Sequence, residues 1–246
     1  MRVGHGLPLE DESRSMEIHL AFDVLAWATA ALVFAVQGRL IRTELPVAAA
    51  RRTDYLIWLL LGAAAGAYGL GTLNLWLSGL VGIARSIEGA LAGGILAVEL
   101  FKLRYGIVSR TGARLALPFA AGIVVGRIGC YLAGLDDFTY GIPTGTSWGH
   151  DYGDGILRHP VQLYESAAML AWGIVLAALM RLKPAWVMRN GFYATVAIYA
   201  GQRFVWEFLK PYASLIGPFT VFHIVAAALV VYALYGLSSQ PSEDRP

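Results

Sequence analysis

The sequence predicts an all-α, polytopic integral membrane protein with seven transmembrane helices, the amino terminus outside and the carboxyl terminus cytoplasmic. Three observations carry this prediction. Of 246 residues, 57% are hydrophobic and only 15% charged, with a mean hydropathy of +0.57; a soluble domain averages about 45–50% apolar and about 25% charged residues. The apolar residues gather into seven runs, each close to the roughly 20 residues a helix needs to span a bilayer. Lysine and arginine concentrate in alternate connections. A soluble enzyme fold is thereby excluded. The net charge of +2 and the single cysteine, Cys130, also argue against nucleic-acid binding, a disulfide framework or a cysteine-based metal cluster. No cofactor and no metal are expected.

The runs are Ile18 to Gln37, Tyr55 to Leu73, Leu80 to Leu100, Leu115 to Ala133, Val161 to Met180, Asn190 to Phe208 and Phe219 to Leu237. Before the first, residues 1–17 form an external head. Its Glu10, Asp11, Glu12 and Glu17 against two arginines reverse the charge of a signal-peptide n-region, so the first run is kept as a span. The seventh is the most uniformly apolar, and the third, fourth and sixth are the most interrupted by polar groups. Loop one holds Arg39, Arg42, Arg51 and Arg52, loop three Lys102, Arg104, Arg110 and Arg114, and loop five Arg181, Lys183 and Arg189. These eleven face only Arg2, Arg14, Arg158 and Lys210 on the other side, which places the odd loops in the cytoplasm. Residues 18–237 thus form one membrane domain, and residues 238–246 a cytoplasmic tail. An external loop at about 134–159, rich in Gly, Asp and aromatic residues, is long enough to suggest a functional lid. No internal inverted repeat of the transporter kind is visible.

A charged side chain at the bilayer centre costs at least about 2.5–3.5 kcal/mol, so such groups face a protein interior or an aqueous cavity. With the orientation above, Asp23, Arg85, Glu88, Arg127, Glu165 and Arg203 converge on the outer leaflet. Glu99, near the cytoplasmic end beside Lys102, reads as a snorkelling end residue. Arginine does not deprotonate in proteins, so Arg85, Arg127 and Arg203 need anions. Either Glu88, Glu165 and Glu207 neutralise them, or some of their capacity is held for an anionic ligand, since guanidinium binds phosphate bidentately. At this depth the ligand would be a phospholipid headgroup, with Arg127 and Arg203 as the leading contacts. The small residues from Gly89 to Gly94 and from Gly122 to Gly129 allow either close helix packing or a cavity floor free of side chains.

Three segments resemble the bacterial prolipoprotein diacylglyceryl transferases. Gly126-Arg127-Ile128-Gly129-Cys130-Tyr131 is similar to the family's Gly-Arg-x-Gly-Asn-Phe signature. Arg158-His159-Pro160-Val161-Gln162-Leu163-Tyr164-Glu165 resembles its His-Pro-Ser-Gln-Leu-Tyr-Glu, and the segment from Tyr199 through Arg203 and Glu207 to Lys210 resembles its Arg-Phe-x-x-Glu-Phe-x-Arg ending. The resemblance implies an inner-membrane enzyme that moves the diacylglyceryl group of phosphatidylglycerol to the lipobox cysteine of a prolipoprotein signal peptide. A thioether forms and glycerol 1-phosphate leaves. Catalysis would fall to Arg127, Arg203 and Glu88; Arg85, Gly129, Asp136, Asp137, His159, Gln162, Tyr164, Glu165, Tyr199 and Glu207 would line the substrate site.

The sequence also departs from the family pattern. Where the family carries His-Gly-Gly in the third span, this chain reads Ser86-Ile87-Glu88-Gly89-Ala90. Glu88 can act as a base or serve as Arg85's partner. The family asparagine is Cys130, read as a small core residue outside catalysis, and Asp136 or Asp137 could supply the nearby acid. The first span has no family tyrosine and offers His19 and Asp23. These changes leave open a paralogue serving another acceptor, and, in a different class, a phospholipid binder or transporter.

Overall fold

The computed structural model describes residues 9–40 and 46–239, with side chains from 17–38 and 46–239. Arg2 and Arg42, the side chains of Arg14 and Arg39, and most of the head and tail assigned from sequence lie outside the described residues. The described chain is mostly helical, with seven α-helices: α1 Leu9–Leu40, α2 Arg52–Leu77, α3 Ile87–Tyr105, α4 Ala116–Ala133, α5 Val161–Leu182, α6 Pro184–Glu207 and α7 Val221–Ser238. Between α4 and α5 lies a two-residue hairpin, β1 His150–Asp151 against antiparallel β2 Leu157–Arg158.

Five segments are long and apolar enough to cross a membrane: Glu17–Gly38, Ala49–Leu77, Ala113–Asp137, Val161–Leu182 and Val221–Ser238. Helices α3 and α6 fall short on apolarity because they carry Glu88, Glu99, Lys102, Arg104, Arg189, Arg203 and Glu207. Their lengths suffice: at 1.5 Å per residue, the 19 residues of α3 reach about 28 Å and the 24 of α6 about 36 Å. Large apolar side chains face outward all around the bundle, among them Trp27, Leu61, Leu103, Ile174 and Val231. A contiguous apolar exterior of this extent marks a membrane or partner surface.

Local chemistry sets the helix ends. Ser86 caps α3 by accepting a bond from the Gly89 N–H at 3.1 Å, and Gly106 closes it in the left-handed conformation. Thr220 and His223 form a reciprocal capping box on α7. Lys183 alone separates α5 from α6, where Pro184 supplies the first turn.

The helices pack chiefly as α2 on α3, α1 on α4, α7 on α6, and α5 between α4 and α6. Glycine governs the first two pairings. A Cβ at Gly66 would strike the Gly89 carbonyl, and one at Gly93 would strike the carbonyl of Gly62. Along α4, Gly122 and Gly126 face Ala30 and Ala26, while a Cβ at Gly129 would overlap the Phe22 side chain. The small-residue stripes therefore bring helix backbones together. Met169, Val196, Tyr199, Ala200, Leu229 and Ala120 are fully or almost fully buried at the bundle centre. Beside them, a cavity of about 400 Å³ runs between α1 and α4 on one side and α2 and α3 on the other. Its walls are apolar, including Ala26, Ala63, Ile95 and Gly122; Asp23 lies among its polar lining residues, as do Glu99, Lys102 and Arg110.

Candidate active site

Helices α3, α4, α5 and α6 each place charged side chains at one point inside the bundle. Glu88 is the second residue of α3, Arg127 lies in the last two turns of α4, Glu165 in the first turn and a half of α5, and Arg203 and Glu207 share one face of α6. Lys210 follows α6 directly. All six are at most 5% exposed. A charge so far from water is tolerated only when paired and hydrogen-bonded, and here three cations meet three carboxylates. Glu165 sits between Arg127 Nε at 2.5 Å and Arg203 Nη1 at 2.7 Å, and it also accepts from Lys210 Nζ at 2.7 Å. Arg203 spends its other two nitrogens on Glu88, through Nε at 3.0 Å, and on Glu207, through Nη2 at 2.9 Å.

The two arginines therefore differ. Every nitrogen of Arg203 is committed to a different carboxylate. Arg127 gives only Nε to Glu165, while its Nη1 lies 3.9 Å from the Cys130 sulfur. Among the carboxylates, Glu88 Oε1 is buried and has no hydrogen-bond partner among the described residues, and the same holds for the Tyr199 hydroxyl.

Hydrogen bonds tie the loop between α4 and α5 to the start of α5 and to the chain after α6. Tyr152 donates its hydroxyl to Gln162 Oε1 at 3.0 Å; burial pushes that hydroxyl up to about 12, which keeps the proton needed for the bond. His159 Nδ1 and the Tyr164 hydroxyl are 3.2 Å apart, and the Ile142 N–H donates to the Leu209 carbonyl at 2.7 Å. At the loop tip, the Arg158 guanidinium grips both Asp154 oxygens at 2.7 Å and holds that carboxyl below its usual range. Behind Glu207, the Thr220 hydroxyl donates to Oε1 at 2.9 Å and ties the cluster to the α7 cap.

Of the residues singled out from sequence, Glu88, Arg127, Glu165, Arg203 and Glu207 meet directly; Gln162 is buried on α5 one turn before Glu165, Tyr199 is buried on α6 one turn before Arg203, and His159 and Tyr164 pair with each other, Tyr164 against Trp206. Arg85 does not join. It precedes the cap of α3 and pairs with Asp23 of α1 at 2.9 Å, so Glu88 is partnered by Arg203 and not by Arg85. Of the two candidate acids, Asp137 turns in toward His19 and the Thr139 hydroxyl, while Asp136 is exposed. Gly129 serves the contact with Phe22. Lys210 was not expected in the cluster, although it stands at the last position of the Arg-Phe-x-x-Glu-Phe-x-Arg pattern. Tyr152 carried no signal beyond the aromatic content of its loop.

The family described as prolipoprotein diacylglyceryl transferase matches residues 20–238. The chain belongs to that family. Among relatives named phosphatidylglycerol--prolipoprotein diacylglyceryl transferase, the protein of Campylobacter lari is 33% identical over 193 residues, 69% of this chain and 68% of its own length. That of Geobacter sulfurreducens is 32% identical over 158 residues, 61% of this chain and 58% of the relative, and that of Wolinella succinogenes 34% over 161 residues, 61% and 55%. The chain thus spans little more than half of the latter two. No solved structure matches it.

Proposed function

We propose that this chain is a transferase that joins the diacylglyceryl group of phosphatidylglycerol to the lipobox cysteine of a prolipoprotein. In this reading it is a seven-span protein of the bacterial inner membrane, with the amino terminus and the charged cluster toward the outer leaflet. The observation that carries the reading is a buried six-charge cluster in the same bundle as an apolar cavity whose walls include Ile87 and Gly126, the sequence neighbours of Glu88 and Arg127. The cavity suits acyl chains, and the cluster suits a phosphate.

In the reaction, the acceptor thiolate attacks the glyceryl carbon bonded to the phosphate oxygen. A C–S bond forms, the C–O bond breaks, and glycerol 1-phosphate leaves with the electron pair. Arg127 has the guanidinium capacity left to bind that phosphate and stabilise the charge as it develops. Arg203, saturated by three carboxylates, positions Glu88 and Glu165. Glu88, with Oε1 unpartnered, takes the thiol proton. His159, Gln162, Tyr164 and the loop above them shape the peptide entry, Asp137 and Gly129 border it, and Tyr199 offers its hydroxyl to the headgroup. Arg85 and Asp136 lie on the outer side, where they contact the approaching lipid or peptide; Glu165 and Glu207 keep the arginines oriented.

A second reading is a paralogue on the same scaffold with another acceptor, favoured by Glu88 in place of the family histidine and Cys130 in place of the asparagine. Mass spectrometry of a synthetic lipobox peptide incubated with purified protein and phosphatidylglycerol separates the two. A diacylglyceryl mass gain on the peptide cysteine, lost in Arg127→Ala, is expected; no gain from folded protein that binds the lipid would shift the assignment to the paralogue.

A further inference from the structure

One group of ligating side chains adjoins the six-charge cluster, with the Cys130 sulfur 3.9 Å from Arg127 Nη1. His19 of α1, Cys130 at the end of α4 and Asp137 in the turn that follows bring an imidazole nitrogen, a sulfur and a carboxylate oxygen within 4.8 Å of one another. His19 Nε2 already contacts Asp137 Oδ1, and the two side chains keep 23% and 10% of their surface exposed, so an ion and a further ligand can reach them.

Donor chemistry, spacing and charge all suit a metal. Zinc-class ions take such Cys, His and Asp donors at about 2.0–2.3 Å, and a tetrahedron of those bonds sets neighbouring donors about 3.3–3.8 Å apart, a spacing these three donors reach with small side-chain shifts from within 4.8 Å of one another. A thiolate and a carboxylate neutralise a dication, so the loaded site would carry no net charge. His19 and Cys130, far apart in sequence, meet at Asp137 in space.

We propose that His19, Cys130 and Asp137 bind one divalent transition-metal ion of the zinc class, with a fourth position left for water or a thiol. Binding releases the Cys130 proton to solvent, moves the His19 Nε2 proton to Nδ1 or to solvent, and replaces the His19–Asp137 contact by two metal bonds. The ion pins the outer end of α1 to the end of α4 and to the start of the external loop.

The test uses the full chain in detergent, titrated with Co²⁺ and then with Zn²⁺. One Co²⁺ per chain with a near-ultraviolet thiolate-to-metal band is expected, abolished in Cys130→Ser, and with affinity lowered at least about tenfold in His19→Gln and in Asp137→Asn. In the unaltered chain, Zn²⁺ should also slow alkylation of Cys130, a readout that needs no variant to fold. A wild-type chain that gives no band at saturating Co²⁺, a band that survives Cys130→Ser, or affinity unchanged in both other variants overturns the site. None of these readouts requires transferase activity, so failure of the transferase reading leaves them unaffected.

Discussion

Arg203 Nε donates to Glu88 Oε2 at 3.0 Å, a bond between residues 115 positions apart that ties the end of α6 to the first turn of α3. Helix α3 otherwise makes its main contact with α2, through the glycines at 62, 66, 89 and 93. The ion pair is thus a principal polar link between the α2–α3 pair and the rest of the bundle.

Arg203→Ala would strand Glu88 and leave Glu207 with the Thr220 hydroxyl, while Glu165 would keep Arg127 and Lys210. Removing one partner of a buried pair costs about 3–5 kcal/mol, and here one side chain serves Glu88, Glu165 and Glu207. Thermal unfolding in detergent should show a large drop in Tm. Arg203→Lys, which keeps the charge but cannot reach three carboxylates from one plane, should fall between. A Tm equal to wild type in the alanine variant would rule out the keystone role.

Much of this site could be read from the sequence. Charges in apolar runs have to pair, so Arg127, Arg203, Glu88, Glu165 and Glu207 group together from the sequence alone. Partner choice could not be read the same way. Arg85 lies three residues before Glu88, a spacing that pairs side chains only inside a helix; the helix begins after Ser86, and Arg85 turns to Asp23 instead. Lys210 was counted as an ordinary loop cation because hydropathy says nothing of a chain that folds back, after α6, onto Glu165. The small-residue stripes allow two interpretations, and both occur: Gly89 and Gly93 let α3 approach the backbone of α2, while Gly94, Gly122 and Gly126 line the cavity.

That proximity makes Gly66 a sharp test. Its absent Cβ would meet the Gly89 carbonyl and the Gly93 Cα, both backbone atoms that cannot swing aside. Gly66→Ala should therefore separate α2 from α3 and destabilise by about 1–3 kcal/mol. At Gly69, where a Cβ meets nothing within 4 Å, alanine should be neutral or mildly stabilising in the same melting assay.

Asp23 and Arg85 pose the opposite case. Their side chains are 36% and 55% exposed, so the pair should be worth no more than about 1 kcal/mol. Asp23→Asn is expected to leave Tm nearly unchanged. A loss comparable to that of Arg203→Ala would mean the pair holds α1 against the α2–α3 connection far more firmly than its exposure suggests.

Glu88→Gln separates a proton acceptor from a mere ion-pair partner. Glutamine keeps the size and can still accept from Arg203 through its carbonyl oxygen, so the fold should survive with a modest fall in Tm. If Glu88 Oε1 takes the thiol proton, transfer at neutral pH should fall by about 10²–10⁴-fold, the usual yield of a positioned base. The deficit should shrink as pH rises toward the peptide thiol's own pKa of about 8.5, because the acceptor then ionises without help. A purely structural Glu88 predicts a different profile, with transfer lowered by a constant factor at every pH or not lowered at all. The ratio of wild-type to variant rates between pH 6.5 and 9 measures which of the two holds.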